Sequence, residues 1–557
     1  MKIKETFIMK KSIFLVALAV AAFSTSCTNL DEELFSEVLP SEFYKNEAEI
    51  VSALGAAYTK LGGYASGDVN NLQETTTDEM VVPTRGQDWD DGGNWRRLHL
   101  HSWKFEDNAT GGAWDFCFAG VNTSNRLIYQ FSLLADEGQM PQAQADAYVS
   151  ELQALRGFFY WQLVDLYGNV PLVTEFENAD PRPATVPRAQ VYNFIVGDLE
   201  AAVPLLPKEV DGTTYGRMNY WAGKMLLAKL YLNSIIYTGT PQWAKVIQAC
   251  DEIINSTYFS LESNYFTNFN VNNSGSKEFI FAIPYDQIFF TGFNLPMQTL
   301  HYGNQFTYNL TAQPWNGFCT LEEFYNSYSN TDIRKGDAGT TAGPAILRGN
   351  FIAGRQFRAD GTPVVDDGAE AGDPDGKPLN FGNIGSTIGQ INEVGPQAFR
   401  QSGVRIGKWE FEVGGTADMN NDFAVFRYAD VLLMKAEALW RSGNAAAALP
   451  IVNQIRQRAG LTIDLTTLDG PVSFAMNEPA VAGGELLNEM GREMFAEHNR
   501  RQDLIRWGLF TSVDKWALPA RNPGETVRKD PFTMLFPINK SKLDANPNLQ
   551  QNPGYAK

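Results

Sequence analysis

Apolar residues recur at helical spacing along most of the chain. The clearest series is Tyr148, Leu152, Leu155, Phe159 and Leu163, in which successive members lie four or three residues apart. That spacing places apolar side chains on one face of an α-helix, which can then pack on a core. The same pattern predicts further helices at residues 41–61, 113–134, 191–203, 485–498 and 502–509.

Two pairs of predicted helices are joined by short turns. They are residues 219–237 with 243–255, and residues 422–441 with 445–459. In the second pair, Ala436, Leu439, Gly443 and Ala448 match the small, large, glycine and small positions of a tetratricopeptide repeat, which let two antiparallel helices approach closely. The chain is therefore predicted to be mostly α, with a tetratricopeptide-like scaffold of helical hairpins.

Two long segments break the helical pattern. Residues 62–112 are rich in Gly, Asp, Asn and Trp, and residues 259–415 are aromatic and polar with many glycines. A structureless loop as long as the second segment is unusual in a compact domain. We expect it to form a long irregular, loop-rich insertion with short strands that packs on the helical scaffold.

Charge and cysteine content exclude several classes of protein. The 557 residues carry a formal net charge of −19, which argues against binding to nucleic acid, because phosphate recognition needs a basic face. The widely separated Cys117, Cys250 and Cys319 indicate neither a disulfide framework nor a zinc site. The four histidines are too scattered to indicate a metal site.

The first residues have the layout of an export signal. Lys10 and Lys11 precede the uncharged apolar run 13–23, which is too short to cross a membrane as a helix. The run ends in Ser24, Thr25, Ser26 and Cys27, which resemble a bacterial lipobox with Cys27 as the acylated residue. We therefore predict a lipoprotein signal peptide at 1–26, the lipidated cysteine and a linker at 27–40, and a single domain at 41–557.

Five stretches resemble the SusD/RagB family, in the order in which that family has them. They lie at residues 154–172, 216–232, 426–438, 492–508 and, as the fifth, 535–538 followed by 546–555. Arg427, Asp430 and Glu437 within these stretches are predicted to be structural ion-pairing residues. A catalytic carboxylate is the less favoured alternative, because neighbouring arginines lower a carboxyl pKa whereas a glycosidase acid needs a raised one.

The resemblance implies a function without catalysis. Members of the family are outer-membrane lipoproteins at the cell surface, bind glycans or sometimes peptides, and act as a lid over a SusC-like TonB-dependent transporter. The chain is therefore predicted to capture an oligosaccharide or polysaccharide and deliver it to such a transporter. The alternatives are a surface glycoside hydrolase, a peptide-binding protein and a purely structural lid.

The segment 78–95 is the first candidate ligand site. Sugar rings present apolar CH faces and polar edges, so a glycan site needs flat aromatic rings beside polar side chains. Trp89 lies between Asp88 and Asp90, with Arg85 and Trp95 nearby. The alternative is that Trp89 packs beneath its own loop.

The second candidate is the segment 285–315 of the predicted insertion, with Asn316 just beyond it. Trp315 and Asn316 join a flat ring to an amide in a turn, and Tyr285 lies upstream, although aromatic residues here could equally form the core of the insertion. The acidic residues Asp366, Asp367, Asp373 and Asp375 could suggest calcium but lack the glutamate that should follow in an EF-hand loop. A solvated acidic loop is the better interpretation, and no cofactor is predicted.

Overall fold

The structure, a computed structural model, describes residues 46–85, 88–336, 348–366, 377–382, 398–516 and 527–555. The chain divides into two compact units, Met1–Ser52 and Ala53–Lys557. Of the first unit only residues 46–52 are described, and they belong to the first helix. Cys27 and the predicted signal peptide and linker lie outside the described residues.

Helices make up most of the regular structure. The α-helices are α1 Glu47–Tyr58, α2 Asp68–Glu74, α3 Asn94–His99, α4 Asn108–Asp136, α5 Gln142–Leu166, α6 Arg188–Ala202, α7 Tyr220–Thr238, α8 Trp243–Asn255, α9 Leu295–Thr299, α10 Gln305–Tyr308, α11 Glu322–Asn326, α12 Tyr428–Arg441, α13 Ala445–Arg458, α14 Gly484–Met494, α15 Arg500–Arg506 and α16 Lys540–Ala545. None of the helices in the described ranges is both long and apolar enough to cross a membrane.

The long helices form a series of hairpins in which each packs on the next. Helices α4 to α8 pack in chain order, α8 packs on α12, and α12 packs on α13. Neighbours approach closely: a Cβ added to Gly120 on α4 would lie 2.2 Å from the ring of Phe159 on α5. Ala436 and Ala448, two of the predicted tetratricopeptide positions, are fully buried where α12 meets α13. The predicted helical-hairpin scaffold is confirmed.

The short strands lie mainly in the insertion, as predicted. They are β1 Val170–Pro171, β2 Thr185–Val186, β3 Phe279–Ile283, β4 Phe351–Ile352, β5 Gly354–Arg355, β6 Val365–Asp366, β7 Lys377–Pro378, β8 Asn380–Phe381, β9 Arg405–Ile406 and β10 Phe423–Arg427. All five pairs are antiparallel: β1 with β2, β3 with β10, β4 with β9, β5 with β8, and β6 with β7.

Three details of the predicted helices are wrong. Residues 423–427 form β10 rather than the start of a helix, because all five side chains are buried and the segment pairs with β3, so helix α12 begins only at Tyr428. Helix α14 ends at Met494 rather than at residue 498, because Ala496 and His498 adopt positive φ angles of 59° and 61°. The segment 62–112 also contains the short helices α2 and α3.

A buried cluster of ion pairs joins the insertion to the scaffold. Arg427 at the end of β10 contacts Glu278 at 3.1 Å, Glu493 at 2.7 Å and Glu497 at 2.7 Å, and all four side chains are almost fully buried. Burial alone would raise the pKa of Glu493, but Arg458 and Arg427 outweigh it and hold that pKa well below its usual range. These charges are therefore ionised and mutually dependent, as expected for structural motif residues.

A second buried acidic pair supports the turn that follows α14. The backbone amide of His498 donates to Glu74 at 2.6 Å, and that of Ala496 donates to Glu79 at 3.3 Å. Burial raises the pKa of Glu74 to about 7, and burial together with the Glu74 charge raises the pKa of Glu79 well above its usual range. In contrast to Glu493, these carboxyl groups bind protons more tightly in the folded protein than in the unfolded chain.

We expect Arg427→Met to destabilise the protein by about 3–5 kcal/mol, because it leaves three buried carboxylates without their shared cation. The measurement is the free energy of unfolding from urea titration. The control is Lys540→Met, which removes an exposed ion pair with Asp544 and should cost less than about 1 kcal/mol. Equal small losses in both variants would contradict a structural role for the cluster.

We expect Glu74→Gln to flatten the pH dependence of stability. Because the pKa of Glu74 is raised on folding, its contribution is fully present below about pH 4.5 and is lost as the pH rises through about 7. Between pH 5 and pH 8 the unfolding free energy of the wild type should therefore fall relative to that of Glu74→Gln by an amount on the order of 2 kcal/mol. The exposed control Glu209→Gln should follow the wild type, and a Glu74→Gln profile parallel to the wild type would contradict the assignment.

Candidate functional site

The predicted loop around Trp89 is a tight, strained turn. Arg85 and Asp88 exchange backbone hydrogen bonds of 3.1 and 2.9 Å, so these two residues form an antiparallel bridge. Trp89 and Asp91 then adopt positive φ angles of 58° and 41°, which non-glycine residues rarely adopt. Such strain persists only where the surrounding contacts hold it, and it is common at functional sites.

The ring of Trp89 is held against the second predicted segment. Its Nε1 donates to the carbonyl oxygen of Trp315 at 2.6 Å, and its ring meets Trp95 and Phe318 edge-on at 5.3 and 5.8 Å. Gly317 permits this contact, since a Cβ there would lie 2.5 Å from the Trp89 ring. Trp89 is half-buried. One part of its ring packs against neighbouring residues, as the packing interpretation predicts, and the rest remains accessible, as contact with a ligand requires.

Two buried arginines lie beneath the turn at Trp315. Arg85 donates to the carbonyl oxygens of Asn316, Gly317 and Ser402 at 2.6, 2.8 and 2.7 Å. Arg405 donates to Ser402 and to the side-chain oxygen of Asn316 at 2.8 and 2.7 Å. Burial lowers the pKa of both guanidinium groups, and their mutual repulsion lowers that of Arg405 further. Together they fix the backbone that presents Trp315.

An open pocket of about 480 Å³ lies beside this turn. It is lined by polar and aromatic side chains of the loop, of helix α10 and of the insertion strands: Asp88, Tyr302, Phe306, Gln313, Arg358 and Arg400 are among them. Tyr302 donates a hydrogen bond to Asp88, and Arg358 lies over the ring of Phe306 at 4.9 Å. The volume falls in the range that holds a small ligand.

Two large aromatic rings remain accessible at this pocket and turn. Phe306 is 51% exposed and Trp315 is 44% exposed, although each could have packed into the insertion core. Exposed flat rings beside carboxylate, amide and guanidinium groups are the combination that the apolar and polar faces of a sugar require. The arrangement is therefore chemically suited to a carbohydrate.

The structure brings half of the predicted site residues to the surface together. Asp88 lines the pocket, and Trp89, Asp90 and Trp315 lie at the adjacent turn, where Asp90 forms an ion pair with Arg96 at 2.8 Å. These four residues keep the exposure that contact with a ligand requires. Their role in binding stays a prediction.

The other predicted contact residues have little or no surface to offer a ligand. Arg85 and Asn316 are fully buried, and Trp95 is 8% exposed with its Nε1 bonded to Asp91. Tyr285 is buried elsewhere, where its hydroxyl accepts from the Ala65 amide and donates to the Gly62 carbonyl. Arg85 and Asn316 therefore position the turn rather than contact a ligand. Trp95 and Tyr285 pack in the core.

Sequence reasoning missed much of the pocket wall. Phe306 and Gln313 lie within the candidate segment 285–315 but were not singled out, and Arg358 and Arg400 lie outside it. No sequence spacing connects these four residues with Asp88. The one available signal was the density of aromatic and polar residues in a glycine-rich segment. Chain folding, rather than a motif, assembles the site.

No metal-binding group appears in the part of the chain that the structure describes: no three or more His, Cys, Asp or Glu side chains are suitably grouped there. Of the acidic residues considered for calcium, Asp366 is buried and lies 3.4 Å from His301. Asp367, Asp373 and Asp375 lie outside the described residues.

The protein belongs to the class of helical-hairpin proteins with an irregular insertion, and this insertion carries an open pocket lined partly by aromatic residues. Comparison with known proteins identifies the family. A family model described as "SusD family" matches residues 396–555, and one described as "Starch-binding associating with outer membrane" matches residues 29–232. The chain belongs to the SusD/RagB family.

Similar proteins come from Bacteroides and Formosa species. Starch-binding protein SusD of Bacteroides thetaiotaomicron is 26% identical over 514 residues, covering 87% of this chain and 85% of that protein. SusD-like protein P25 of Formosa agariphila is 26% identical over 447 residues, covering 77% of this chain and 78% of that protein.

Solved structures share the fold. Surface glycan-binding protein A of Bacteroides thetaiotaomicron, in complex with laminarihexaose, superposes with a TM-score of 0.66 at 23% identity and covers 91% of this chain and 99% of its own. Surface glycan-binding protein A of Bacteroides uniformis gives a TM-score of 0.66 at 21% identity over the same shares. The predicted SusD-like fold is confirmed.

We expect Gly317→Ala to displace the Trp89 ring, because the new methyl group would overlap it and the carbonyl oxygen of Gln298, which would lie at 2.7 Å. Overpacking of this kind costs about 1–3 kcal/mol of unfolding free energy. The tryptophan emission of the folded protein should also change. The matched control is Gly197→Ala in α6, where no atom lies within 4 Å of the added methyl group. Unchanged stability and emission in Gly317→Ala would contradict the packing described for Trp89.

Proposed function

We propose that this protein is a cell-surface glycan-binding lipoprotein that captures an oligosaccharide and delivers it to a SusC-like TonB-dependent transporter in the outer membrane. The observation that carries the proposal is the pocket in which the accessible ring of Phe306 adjoins Asp88, Gln313 and Arg358. The exposed ring of Trp315 follows two residues after Gln313 in the chain. Relatives named as a starch-binding protein and a surface glycan-binding protein support the same class of ligand.

The proposal assigns no catalytic step to the pocket. Hydrolysis of a glycosidic bond needs a protonated carboxylic acid and a second carboxylate, each free to act on the substrate. Both carboxylates that line the pocket are already engaged, Asp88 by the hydroxyl of Tyr302 and Asp366 by His301. A binding site that needs no cofactor accounts for these contacts better than a hydrolase site.

Attachment to the outer membrane is part of the proposal. Support comes from the lipobox that ends at Cys27 and from the family description "associating with outer membrane" over residues 29–232. An acylated Cys27 would hold the pocket at the cell surface, where large glycans are accessible. Stable anchoring needs more than a single acyl chain, which lipidation at Cys27 would provide.

We expect Trp315→Ala to weaken glycan binding about tenfold, equivalent to about 1.4 kcal/mol, because the variant removes an accessible stacking surface without touching the core. The measurement is calorimetric titration of the full-length protein in detergent against a panel of oligosaccharides. The matched control is Phe176→Ala, which removes an aromatic ring that is 45% exposed in the β1–β2 connection.

Reducing ends are assayed in the same mixtures. Binding that is weakened by Trp315→Ala and unaffected by Phe176→Ala, without release of reducing ends, would support the proposal. Cleavage that disappears in Asp88→Asn would instead establish the glycoside hydrolase. The absence of any glycan binding, with co-purification of the transporter, would favour the structural lid.

A further inference from the structure

The turn at residues 286–290, between strand β3 and helix α9, presents two apolar side chains to solvent. Ile288 is 71% exposed and Phe289 is 89% exposed. The next residue, Phe290, instead packs on Tyr285, with the two ring centroids 5.6 Å apart and the ring planes inclined by 13°. The exposure of Phe289 is therefore specific to this side chain rather than general to the turn.

The backbone that carries Phe289 is already ordered. The side-chain oxygen of Asp286 accepts hydrogen bonds from the amides of Ile288 and Phe289, both at 2.8 Å. The amide of Asp286 donates to the carbonyl oxygen of Phe290 at 3.0 Å, which closes the turn. An aspartate that bonds the amides two and three residues further on holds a turn in one conformation. Binding a ligand at Phe289 would therefore cost little backbone entropy.

The segment from Glu412 to Gly414 lies between this turn and the pocket. At one end, Glu412 accepts a hydrogen bond from the side-chain amide of Asn420 at 2.8 Å, and the oxygen of that amide accepts from the backbone of Gln287 at 3.1 Å. At the other end, the amide of Gly414 donates to the carbonyl oxygen of Tyr308 at 2.8 Å. Because Tyr308 ends helix α10, the segment joins the turn to an element of the pocket wall.

Exposed apolar side chains occur at each step of this path. Phe306 on α10 lines the pocket and is 51% exposed, and Val413 in the connecting segment is 54% exposed. Isolated exposed apolar residues are common, but a series of them on adjoining segments is typical of a binding surface. The carboxylate of Glu412 and the amide of Asn420 provide hydrogen-bonding groups between Val413 and Phe289. Flat rings beside such groups are suited to sugars.

We infer that the glycan site extends from the pocket over Val413 to Phe289, which forms a second stacking position for chains too long for the pocket alone. A chain held in the pocket meets Phe289 at a high effective concentration, so the second contact adds affinity for long chains only. This inference rests on the proposed glycan-binding function and deepens it, because it makes chain length a determinant of binding.

The test measures affinity as a function of chain length. Full-length protein is titrated calorimetrically with malto-, laminari-, cello-, xylo-, manno- and galacturono-oligosaccharides, each series running from the disaccharide to the octasaccharide. For a series that binds, we expect the affinity to rise about tenfold from the shortest bound member to the octasaccharide. Phe289→Ala should remove this rise and leave the affinity for the shortest bound member as in the wild type.

Two further variants identify the contact as stacking on a flat ring. Phe289→Tyr keeps the ring and should keep the rise in affinity with chain length, whereas Phe289→Leu keeps an apolar side chain without a flat face and should lose the rise. Because Phe289 is 89% exposed, these variants should fold as the wild type does. The matched control is Phe176→Ala, which should bind every chain length as the wild type does.

The outcomes separate this inference from the proposed function. Binding that does not strengthen with length, or that strengthens equally in Phe289→Ala or Phe289→Leu, would overturn the inference and leave the glycan-binding function intact. Loss of transporter co-purification in Phe289→Ala, with the effect of chain length unchanged, would also overturn it and assign the exposed turn to protein contact. No binding by any series would overturn both.

Discussion

The ion pairs around Arg427 and Glu493 connect segments of this protein that lie far apart in the sequence. Glu278 and Arg427 lie at the ends of the paired strands β3 and β10, Arg458 lies at the end of α13, and Glu493 lies on α14. Each charge is buried, so each is tolerable only while its partners are in place. The irregular insertion is thereby fixed to the helical scaffold in one orientation, and the pocket that it carries inherits that orientation.

The same use of arginine recurs at the pocket with different partners. Arg427 meets carboxylates, whereas Arg85 meets the carbonyl oxygens of Asn316, Gly317 and Ser402. In both places one guanidinium group joins segments that are far apart in sequence, since its five donors can reach several acceptors at once. At Arg427 the result is a network of ion pairs, and at Arg85 it is a turn whose backbone is fixed by hydrogen bonds.

The scaffold could be predicted well from the sequence because a helix produces a periodic pattern within a short stretch of residues. The spacing of Leu152, Leu155 and Phe159 follows directly from 3.6 residues per turn, and the turn glycines Gly239 and Gly443 lie where the hairpins reverse. Strand β10 was missed because its five residues are buried on both faces and precede a true helix without a break. Alternation marks a strand only when one face meets solvent.

The sequence allowed the loop around Trp89 and the turn at Trp315 to be predicted, but not most of the residues that line the pocket. Trp89 and Trp315 were recognisable because tryptophan among aspartates, glycines and asparagine is out of place in a helical core. Arg85 and Asn316 were chosen for the same polarity, yet that polarity serves the backbone beneath the turn. Phe306 and Arg400 could not be found from spacing, because the contacts that bring them to Asp88 are set by the tertiary fold alone.

The separation of the site's components in sequence also determines when the pocket can exist. The bond from Arg85 to Ser402 spans 317 residues, whereas each helical hairpin closes between neighbours in the chain. Contacts between near neighbours form early in folding, and distant contacts form later because their loops cost more entropy to close. During folding, a molecule therefore forms nearly all of its helix while it is still unable to hold a ligand, and ligand binding begins only with the last docking of the insertion.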